Sequence, residues 1–389
     1  KMRAEKNHAK IVLGSATPSV ETYARAKKGI YSLFEMKQRI NGKPLPYCEV
    51  VDMGNESRSG NYSLMSRRMK QRLQETLDKK EQAMILLNKR GYASFIKCES
   101  CNEPIRCPHC DVTLTYHKAE NRLKCHLCEY FIPTPRTCPN CGSTHLKKIG
   151  YGTQKIEEEL EKQYPEAHII RFDFDTTRNK NTHLKLLKDF EEHKADIMLG
   201  TQMIAKGLDF SNVTFVGVLM ADLSLMVPDF RASERTFQLL CQVAGRSGRG
   251  EKQGTVMIQT FNPEHYAIKA AVKQDYDAFF KEEIAFRKKA KYPPYCHLVS
   301  VIVQSRSPKN VHSIALDISQ YLKDHLEKVR IIGPQSTFKM QDIYRERILI
   351  KYIESKPIYE QLSIIDDYYN RTRKGGVIVA CDFNPYSTY

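Results

Sequence analysis

The sequence predicts an α/β protein: a doubly wound parallel sheet, interrupted by an inserted cysteine-rich module and followed by a separate α+β domain. Three observations lead there. Short apolar strands alternate with amphipathic helices from Ala83 to Gln259. Eight of the 12 cysteines fall between residues 98 and 141. The stretch after Pro293-Pro294 reads βαββαβ.

In chain order, Lys10–Leu13 reads as a short strand, Gly14-Ser15-Ala16-Thr17-Pro18 as a turn and Val20–Lys28 as a helix. Cys48–Met53 is a second strand, and polar Asn55–Tyr62 is a plausible linker. A helix starting at Ser63, its candidate N-cap, carries Met65, Met69, Leu73 and Leu77 on one stripe. Ala83–Leu87 is apolar throughout, as a strand buried on both faces requires. After the cysteines the alternation resumes. Helices are expected over Thr153–Gln163, Asn181–His193 and Ser233–Ala244, and strands over His168–Phe172, Asp196–Leu199, Thr214–Met220 and Gly254–Gln259. One long helix over 265–290 carries Tyr266, Ala270, Tyr276, Phe279 and Phe280, ends in Arg287-Lys288-Lys289 and is stopped by the prolines. Beyond them, helices Lys309–Lys328 and Pro357–Lys374 bury Val311, Ile314, Ile318 and Leu322, and Ile358, Leu362, Ile365 and Tyr369, against strands Leu298–Gln304, Val329–Met340, Arg345–Tyr352 and Gly376–Asp382.

A chain of 389 residues is long enough for two or three domains with a sizeable core. Its 61 basic against 45 acidic side chains leave +16. Such a surplus points to a polyanionic partner, nucleic acid above all, with a generically basic protein as the plain alternative. No apolar run approaches the ~20 residues of a membrane-spanning helix, so that class is excluded. The start, Lys1-Met2-Arg3, has no signal-peptide character and no natural beginning, and a piece of a longer protein is expected.

The cysteines form four Cys-x-x-Cys knuckles: Cys98/Cys101, Cys107/Cys110, Cys125/Cys128 and Cys138/Cys141. Two thiolates three positions apart grip one tetrahedral ion, so four knuckles make two closed four-thiolate zinc sites, structural rather than catalytic. Pro108 and Asn140-Cys141-Gly142 supply turn chemistry. Fourteen residues, 111–124, separate the inner knuckles, close to zinc-ribbon spacing. That spacing favours nesting: Cys107, Cys110, Cys125 and Cys128 on one zinc, Cys98, Cys101, Cys138 and Cys141 on the other. A disulfide framework is the competing reading, disfavoured by the intracellular nucleic-acid character of the rest. His109, His117 and His126 lie nearby, but eight thiolates already fill two sites. Cys48, Cys241, Cys296 and Cys381 read as ordinary buried thiols.

Three stretches carry chemistry. Gly200-Thr201-Gln202-Met203-Ile204-Ala205-Lys206-Gly207-Leu208-Asp209-Phe210 leaves the carboxyl end of a predicted parallel strand, where open α/β sheets bind ligands. Gly200 and Gly207 allow close backbone approach, Thr201 and Gln202 offer hydrogen bonds and Lys206 adds charge. Gln242-Val243-Ala244-Gly245-Arg246-Ser247-Gly248-Arg249-Gly250 closes a helix buried through Phe237, Leu240, Cys241 and Ala244. Arg246 and Arg249, set among glycines, can reach a phosphate as a rigid fork and neutralise charge on a transferring phosphoryl group. The third, Gly14-Ser15-Ala16-Thr17-Pro18, is equally a strand–helix cap.

In this order the three stretches resemble motifs III, V and VI of superfamily 2 helicases. With Leu87-Asn88-Lys89-Arg90-Gly91-Tyr92 and the eight cysteines, the chain resembles the PriA family of bacterial replication-restart helicases along essentially its whole length. The ending Val379-Ala380-Cys381-Asp382-Phe383-Asn384-Pro385 also resembles that family's C-terminus.

The resemblance implies the tail of helicase lobe 1 at 1–54, a RecA-like lobe 2 over 63–97 and 142–290, a zinc insertion at 98–141 and a C-terminal α+β domain over 291–389. It implies part of an ATP-dependent 3′-to-5′ DNA helicase that recognises stalled forks and D-loops and initiates primosome assembly. Arg246 and Arg249, with Gln242, would face the γ-phosphate, and Gly245 beside them would serve nucleotide–DNA coupling. Thr201, Gln202 and Lys206, with Gly200, Gly207 and Asp209, would contact DNA backbone or relay nucleotide state. Ser15, Ala16 and Thr17 would couple hydrolysis to movement. It further implies ATP and Mg²⁺, forked and single-stranded DNA, single-stranded-DNA-binding protein, primosome and helicase-loading proteins, and a bacterial cytoplasm. The sequence has no Gly-x-x-x-x-Gly-Lys-Ser/Thr loop, since Gly42-Lys43 runs into Pro44, and hydrolysis by this polypeptide alone is not expected. The competing readings are a zinc-ribbon DNA-binding scaffold with a non-motor RecA-like lobe, and a zinc-bearing superfamily 2 motor acting on RNA or supercoiled DNA.

Overall fold

The computed structural model describes every residue except 1, 37–44, 89–94, 99, 102, 110–112, 118–120, 126–127, 129, 150–152, 174–175, 177–179, 205–209, 248–251, 338, 372–375 and 388–389. Along the chain run α1 (Met2–Lys6), α2 (Val20–Lys27), β1 (Tyr47–Asp52), α3 (Met53–Arg58), α4 (Arg67–Asp78) and β2 (Gln82–Leu87). Five short strands come next, in the cysteine region: β3 (Phe95–Cys98), β4 (Thr115–His117), β5 (Arg122–Lys124), β6 (Phe131–Pro133) and β7 (Leu146–Ile149). Then come α5 (Thr153–Gln163), β8 (Ile169–Phe172), α6 (Lys180–Glu191), β9 (Ile197–Gly200), β10 (Val213–Leu219), a 3-10 turn (Ala221–Ser224), α7 (Ala232–Ala244), β11 (Thr255–Thr260), α8 (Tyr266–Lys273) and α9 (Tyr276–Ala290). The last stretch is β12 (His297–Ser305), α10 (Pro308–His325), β13 (Arg330–Ser336), β14 (Tyr344–Tyr352), α11 (Ser355–Asp366), a π-helical turn (Asp367–Arg371) and β15 (Ile378–Phe383).

Six strands form one parallel sheet, in the order β1-β11-β10-β2-β9-β8. Strand β2 is buried at every position, and its side chains alternate between two cores. Ala83, Ile85 and Leu87 meet α4 and α5 through Met69, Leu73, Ile156 and Leu160. Met84 and Leu86 join Phe190, Phe237, Leu240, Ile268 and Phe279 of α6 to α9 on the other face. An all-apolar strand needs both faces covered, and this doubly wound arrangement covers them.

The division expected at residue 54 does not match the sheet. Strand β1 pairs in parallel register with β11, from Tyr47↔Thr255 to Asp52↔Thr260. Cys48 and Val50 pack on one core and Val51 on the other, so this strand also has two faces to bury. The linker expected from Asn55 starts as α3, capped by the Asp52 carboxylate, which accepts the N–H groups of Gly54 and Asn55. Helix α4 is capped by Ser66, not Ser63; the Ser66 hydroxyl accepts the Met69 N–H at 3.1 Å. The strand expected at Lys10–Leu13 does not form. Ile11, Val12 and Leu13 are exposed and have no neighbouring strand among the described residues, and a strand without a ladder is not stable.

The long helix expected over 265–290 is two. Gln274 takes a left-handed conformation (φ 51°) that ends α8, and the Asp275 carboxylate caps α9 through the Ala278 N–H. Beyond the prolines, four antiparallel strands take the order β13-β14-β12-β15 with α10 and α11 over one face, the split βαβ sandwich. On the other face Leu298 and Leu349 meet Phe230, which links this domain to the parallel-sheet unit.

The cysteine region leaves the sheet after β2 and returns before α5. Antiparallel β3 and β7 tie its ends, from Phe95↔Ile149 to Cys98↔Leu146. Beyond this stalk lies the three-stranded sheet β4-β5-β6. The structure shows a small core of Ile96, Ile105, Leu114, Tyr116 and Leu123 around Cys107 and Cys125.

Candidate functional site

Two clusters of thiols converge in the cysteine region. The sulfurs of Cys98, Cys101, Cys138 and Cys141 all lie within 4.8 Å of one another, and so do those of Cys107, Cys125 and Cys128. Cys110 lies outside the described residues. The outer pair of knuckles thus meets, and the inner pair meets, as nesting requires. Cys98 and Cys141 are 3.6 Å apart, Cys101 and Cys138 3.7 Å, and Cys107 and Cys128 3.6 Å. A 2.3 Å zinc–sulfur bond in a tetrahedron sets sulfurs about 3.8 Å apart, whereas a disulfide needs about 2 Å. The donor set and its spacing fit zinc.

Local backbone turns make each knuckle. The Cys98 N–H donates to Glu103 O, the Cys138 N–H to Ser143 O and the Gly142 N–H to Cys138 O. Gly142 closes its turn at φ 73°, a conformation that favours glycine. The backbone N–H of Cys101, foremost, holds the Cys98 thiol down at about 6, so a thiolate stands ready for metal. Cys141 is pushed up to about 12: the Ser143 N–H lowers it, but desolvation and three neighbouring thiols outweigh that.

The inner cluster touches the C-terminal domain. The tip between β13 and β14 lays Met340 on the small core beside Cys107 and Cys125. Asp342 binds His109 Nδ1 at 2.6 Å, and its backbone N–H donates to His109 O. Lys339 donates to Pro108 O at 2.6 Å. His109 is therefore held by the Asp342 carboxylate.

The other stretches meet at α7. Its Gln238 amide donates to Thr17 O at 3.3 Å, and its Glu234 carboxylate accepts the Val20 N–H at 3.0 Å. These contacts dock the segment holding Ser15, Ala16 and Thr17. Ser15 and Ala16 are exposed and Thr17 half-buried, with the Thr17 N–H donating to Ser15 Oγ. On a second side, Thr236 of α7 lies 2.6 Å from Ser224 Oγ. The buried Asn88 amide donates to Ser224 Oγ and Ala221 O, and its oxygen accepts from Gln202 Nε2 at 3.2 Å.

Gly200, Thr201 and Gln202 sit at the end of β9, on the carboxyl edge of the sheet. A Cβ on Gly200 would meet Phe172 O at 2.4 Å, so the close approach is to the neighbouring strand, not to a ligand. Helix α7 ends at Gly245, leaving Gln242 exposed and Arg246 half-buried just beyond. Buried Ser247 anchors the chain past the helix end, its hydroxyl donating to Thr214 O and Thr255 O. Lys206, Gly207, Asp209 and Arg249 lie outside the described residues.

Residue-by-residue reading missed several supports. Arg287, grouped with a basic cluster, is fully buried. It pairs with Glu283, Glu234 and Glu21 at 2.7, 2.6 and 3.2 Å. Burial, partly opposed by Arg287, raises the pKa of Glu234. Glu234 has Arg231 and Arg235 close by in the chain, and these local cations masked its distant partner. Asn88 did carry a signal: it is the first polar residue after an apolar strand. Cys48, Cys241, Cys296 and Cys381, expected as buried thiols, are each partly buried; desolvation pushes Cys48, Cys296 and Cys381 up to about 11 and Cys241 to about 12, which disfavours the reactive thiolate.

Three families match parts of the chain: PriA DNA helicase Cys-rich region (CRR) domain over residues 107–133, Helicase conserved C-terminal domain over 146–251 and Primosomal protein N C-terminal domain over 288–386. Replication restart protein PriA of Bacillus subtilis is 47% identical over 388 residues, covering 99% of this chain and 48% of that protein. Its namesake from Chlamydia pneumoniae is 41% identical over 367 residues, 93% of this chain and 49% of that one. Among solved structures, the Pyrococcus furiosus Hef helicase domain is similar at a TM-score of 0.25 and 15% identity, over 50% of this chain and 25% of that one, too slight a likeness to argue from. The chain spans about half the length of the curated relatives it matches. With a PriA Cys-rich region, a helicase C-terminal domain and a primosomal protein N C-terminal domain in this order, and relatives of that name matched along nearly its whole length, it belongs to the PriA family.

Proposed function

We propose that this chain supplies the second motor lobe, a double-zinc module and the C-terminal domain of an ATP-driven 3′-to-5′ DNA helicase. The whole enzyme would recognise stalled forks and D-loops in the bacterial cytoplasm and initiate primosome assembly. The observation that carries the reading is the convergence on α7 of the Ser15–Thr17 segment, the Gln202 loop and the approach to Arg246. A helix that contacts the first stretch, reaches the second through Ser224 and Asn88, and leads directly into the third can pass a nucleotide-dependent shift among them. In this reading Arg246 and Arg249, flanked by Gln242 and Gly245, reach the phosphates of ATP–Mg²⁺ held by another segment. Thr201, Gln202 and Lys206, with Gly200, Gly207 and Asp209, face the DNA backbone.

Cys98, Cys101, Cys138 and Cys141 would hold one zinc, and Cys107, Cys110, Cys125 and Cys128 the other. Zinc closed by four thiolates supplies folding free energy and no open coordination position. Single-stranded-DNA-binding protein and helicase-loading proteins are the partners this role requires.

The test is direct. Metal analysis of the purified chain should give two zinc ions per molecule. Binding of forked DNA should weaken steeply with salt, because it rests on phosphate neutralisation. ATP hydrolysis should be absent even with DNA present. DNA-stimulated hydrolysis by this chain, or affinity flat in salt, would refute the assignment.

A further inference from the structure

The outer face of the small sheet in the cysteine module has no role in the motor assignment. Tyr116, Leu123 and Ile132 of β4, β5 and β6 turn inward to the module's core. Residues one position away turn outward. On that face Lys124 stands opposite Phe131, and Arg122 lies diagonally from it. Phe131 is 56% exposed, unusual for a phenylalanine on a sheet. The Arg122 guanidinium sits 5.0 Å from its ring centroid. Beside the ring opens a cleft of about 470 Å³ with Tyr130, His109, Gln341 and Asp342 on its walls. The Asp342 carboxylate is already matched by His109 at 2.6 Å and Lys339 at 3.7 Å.

We propose that Phe131, with Arg122 and Lys124, forms a stacking platform for one or two bases of a single-stranded nucleic acid. The platform rests on the nucleic-acid reading of the chain and adds where an unpaired strand is gripped. An exposed ring offers a flat apolar face that any base can cover, and sequence-neutral single-strand binding uses such faces. The Arg122 guanidinium at the ring, and Lys124 on the paired strand, supply positive charge for the flanking phosphates of a stacked nucleotide. A chain with net charge +16 is complementary to that ligand.

The chain contains no tryptophan, which gives the proposal its own optical probe. In Phe131→Trp the introduced indole is the only one present. Titration with unlabelled oligo-dT should quench it, while anisotropy of labelled oligo-dT reports binding by the same protein. Phe131→Ala should weaken binding by about 5- to 150-fold. Arg122→Ala with Lys124→Ala should lower the log–log salt slope by about 1.4. Phe131 is exposed, so zinc content and circular dichroism should not change. Oligo-rU beside oligo-dT separates a preference for RNA from one for DNA. Anisotropy showing undiminished binding by Phe131→Ala, with the indole silent, sinks the platform, leaves the nucleic-acid reading standing and points to a protein on this face. No binding of any oligonucleotide by the unaltered chain sinks both.

Discussion

Arg287 shows what a single side chain contributes when water is excluded. Its guanidinium faces three carboxylates, from Glu21, Glu234 and Glu283, and lies 5.1 Å from the Phe230 ring centroid. Glu283 also accepts the Tyr266 hydroxyl at 2.6 Å, and Glu21 accepts Arg231 at 2.8 Å. Arg231 in turn donates to Pro385 O. The cluster therefore joins the segment after Thr17, α7, α9 and the end of the C-terminal domain. Arg287→Met would leave Glu234 and Glu283 buried without their cation, while Glu21 keeps Arg231, and the loss costs about 3–5 kcal/mol. Urea unfolding of the parallel-sheet unit should lose that much free energy, and its midpoint should fall by the loss divided by the m-value. A midpoint within error of the unaltered chain would show the carboxylates are neutral without help. The sequence could not reveal this group, because its members are 21, 234, 283 and 287 in the chain and only the i,i+4 pair Glu283–Arg287 is local.

At the scale of elements, α8 exists as a separate helix because both its ends are marked. His265 caps its start, Nδ1 accepting the Ala267 N–H at 3.2 Å, and Gln274 ends it. A ring nitrogen can accept only while unprotonated. Burial, more than the opposing carboxylates of Glu283 and Asp222, lowers the His265 pKa. The unfolded chain, near the ordinary 6.5, then binds a proton that the folded chain refuses. Stability from this cap is complete above about pH 6.5 and is lost as pH falls toward the folded-state value. His265→Asn keeps a good cap that does not titrate. Melting temperatures from pH 7.5 to 5 should fall less for that variant; parallel curves would remove His265 from the account. Elements with strong periodicity were legible: α5 matches its expected bounds and β2, β9 and β10 lie within a residue or two of theirs. The elements that were not legible depended on partners. Polar Gln274-Asp275 splits a helix only because α8 and α9 each pack on α7 or each other, and Lys10–Leu13, apolar from Ile11 on, has no strand to pair with among the described residues.

For the whole molecule, the two cysteine clusters differ in what they hold. The outer one closes the stalk, where β3 meets β7 and Ser100 Oγ lies 2.7 Å from Ser143 Oγ. The inner one presents Pro108 O and His109 O, both inside a knuckle, to Lys339 and Asp342 of the C-terminal domain. Those carbonyls are aimed by the knuckle, so metal at the inner site should also fix the tip between β13 and β14. The module's apolar core is small and shared with the thiols, so it cannot persist without metal. The parallel sheet has two large cores of its own and can. Chelating zinc should therefore speed amide hydrogen exchange over 95–149 and again over 339–343, a stretch about 200 positions away, while β2, β9, β10 and β11 stay protected. Asp342→Ala, with zinc retained, should speed exchange over 339–343 alone and only in part, since the His109 ring contact is lost while the backbone contact to His109 O and the knuckle remain. If chelation released the sheet together with the module, the insertion would be part of one cooperative unit; if the tip kept its protection, its contacts with the knuckle would be too weak to matter.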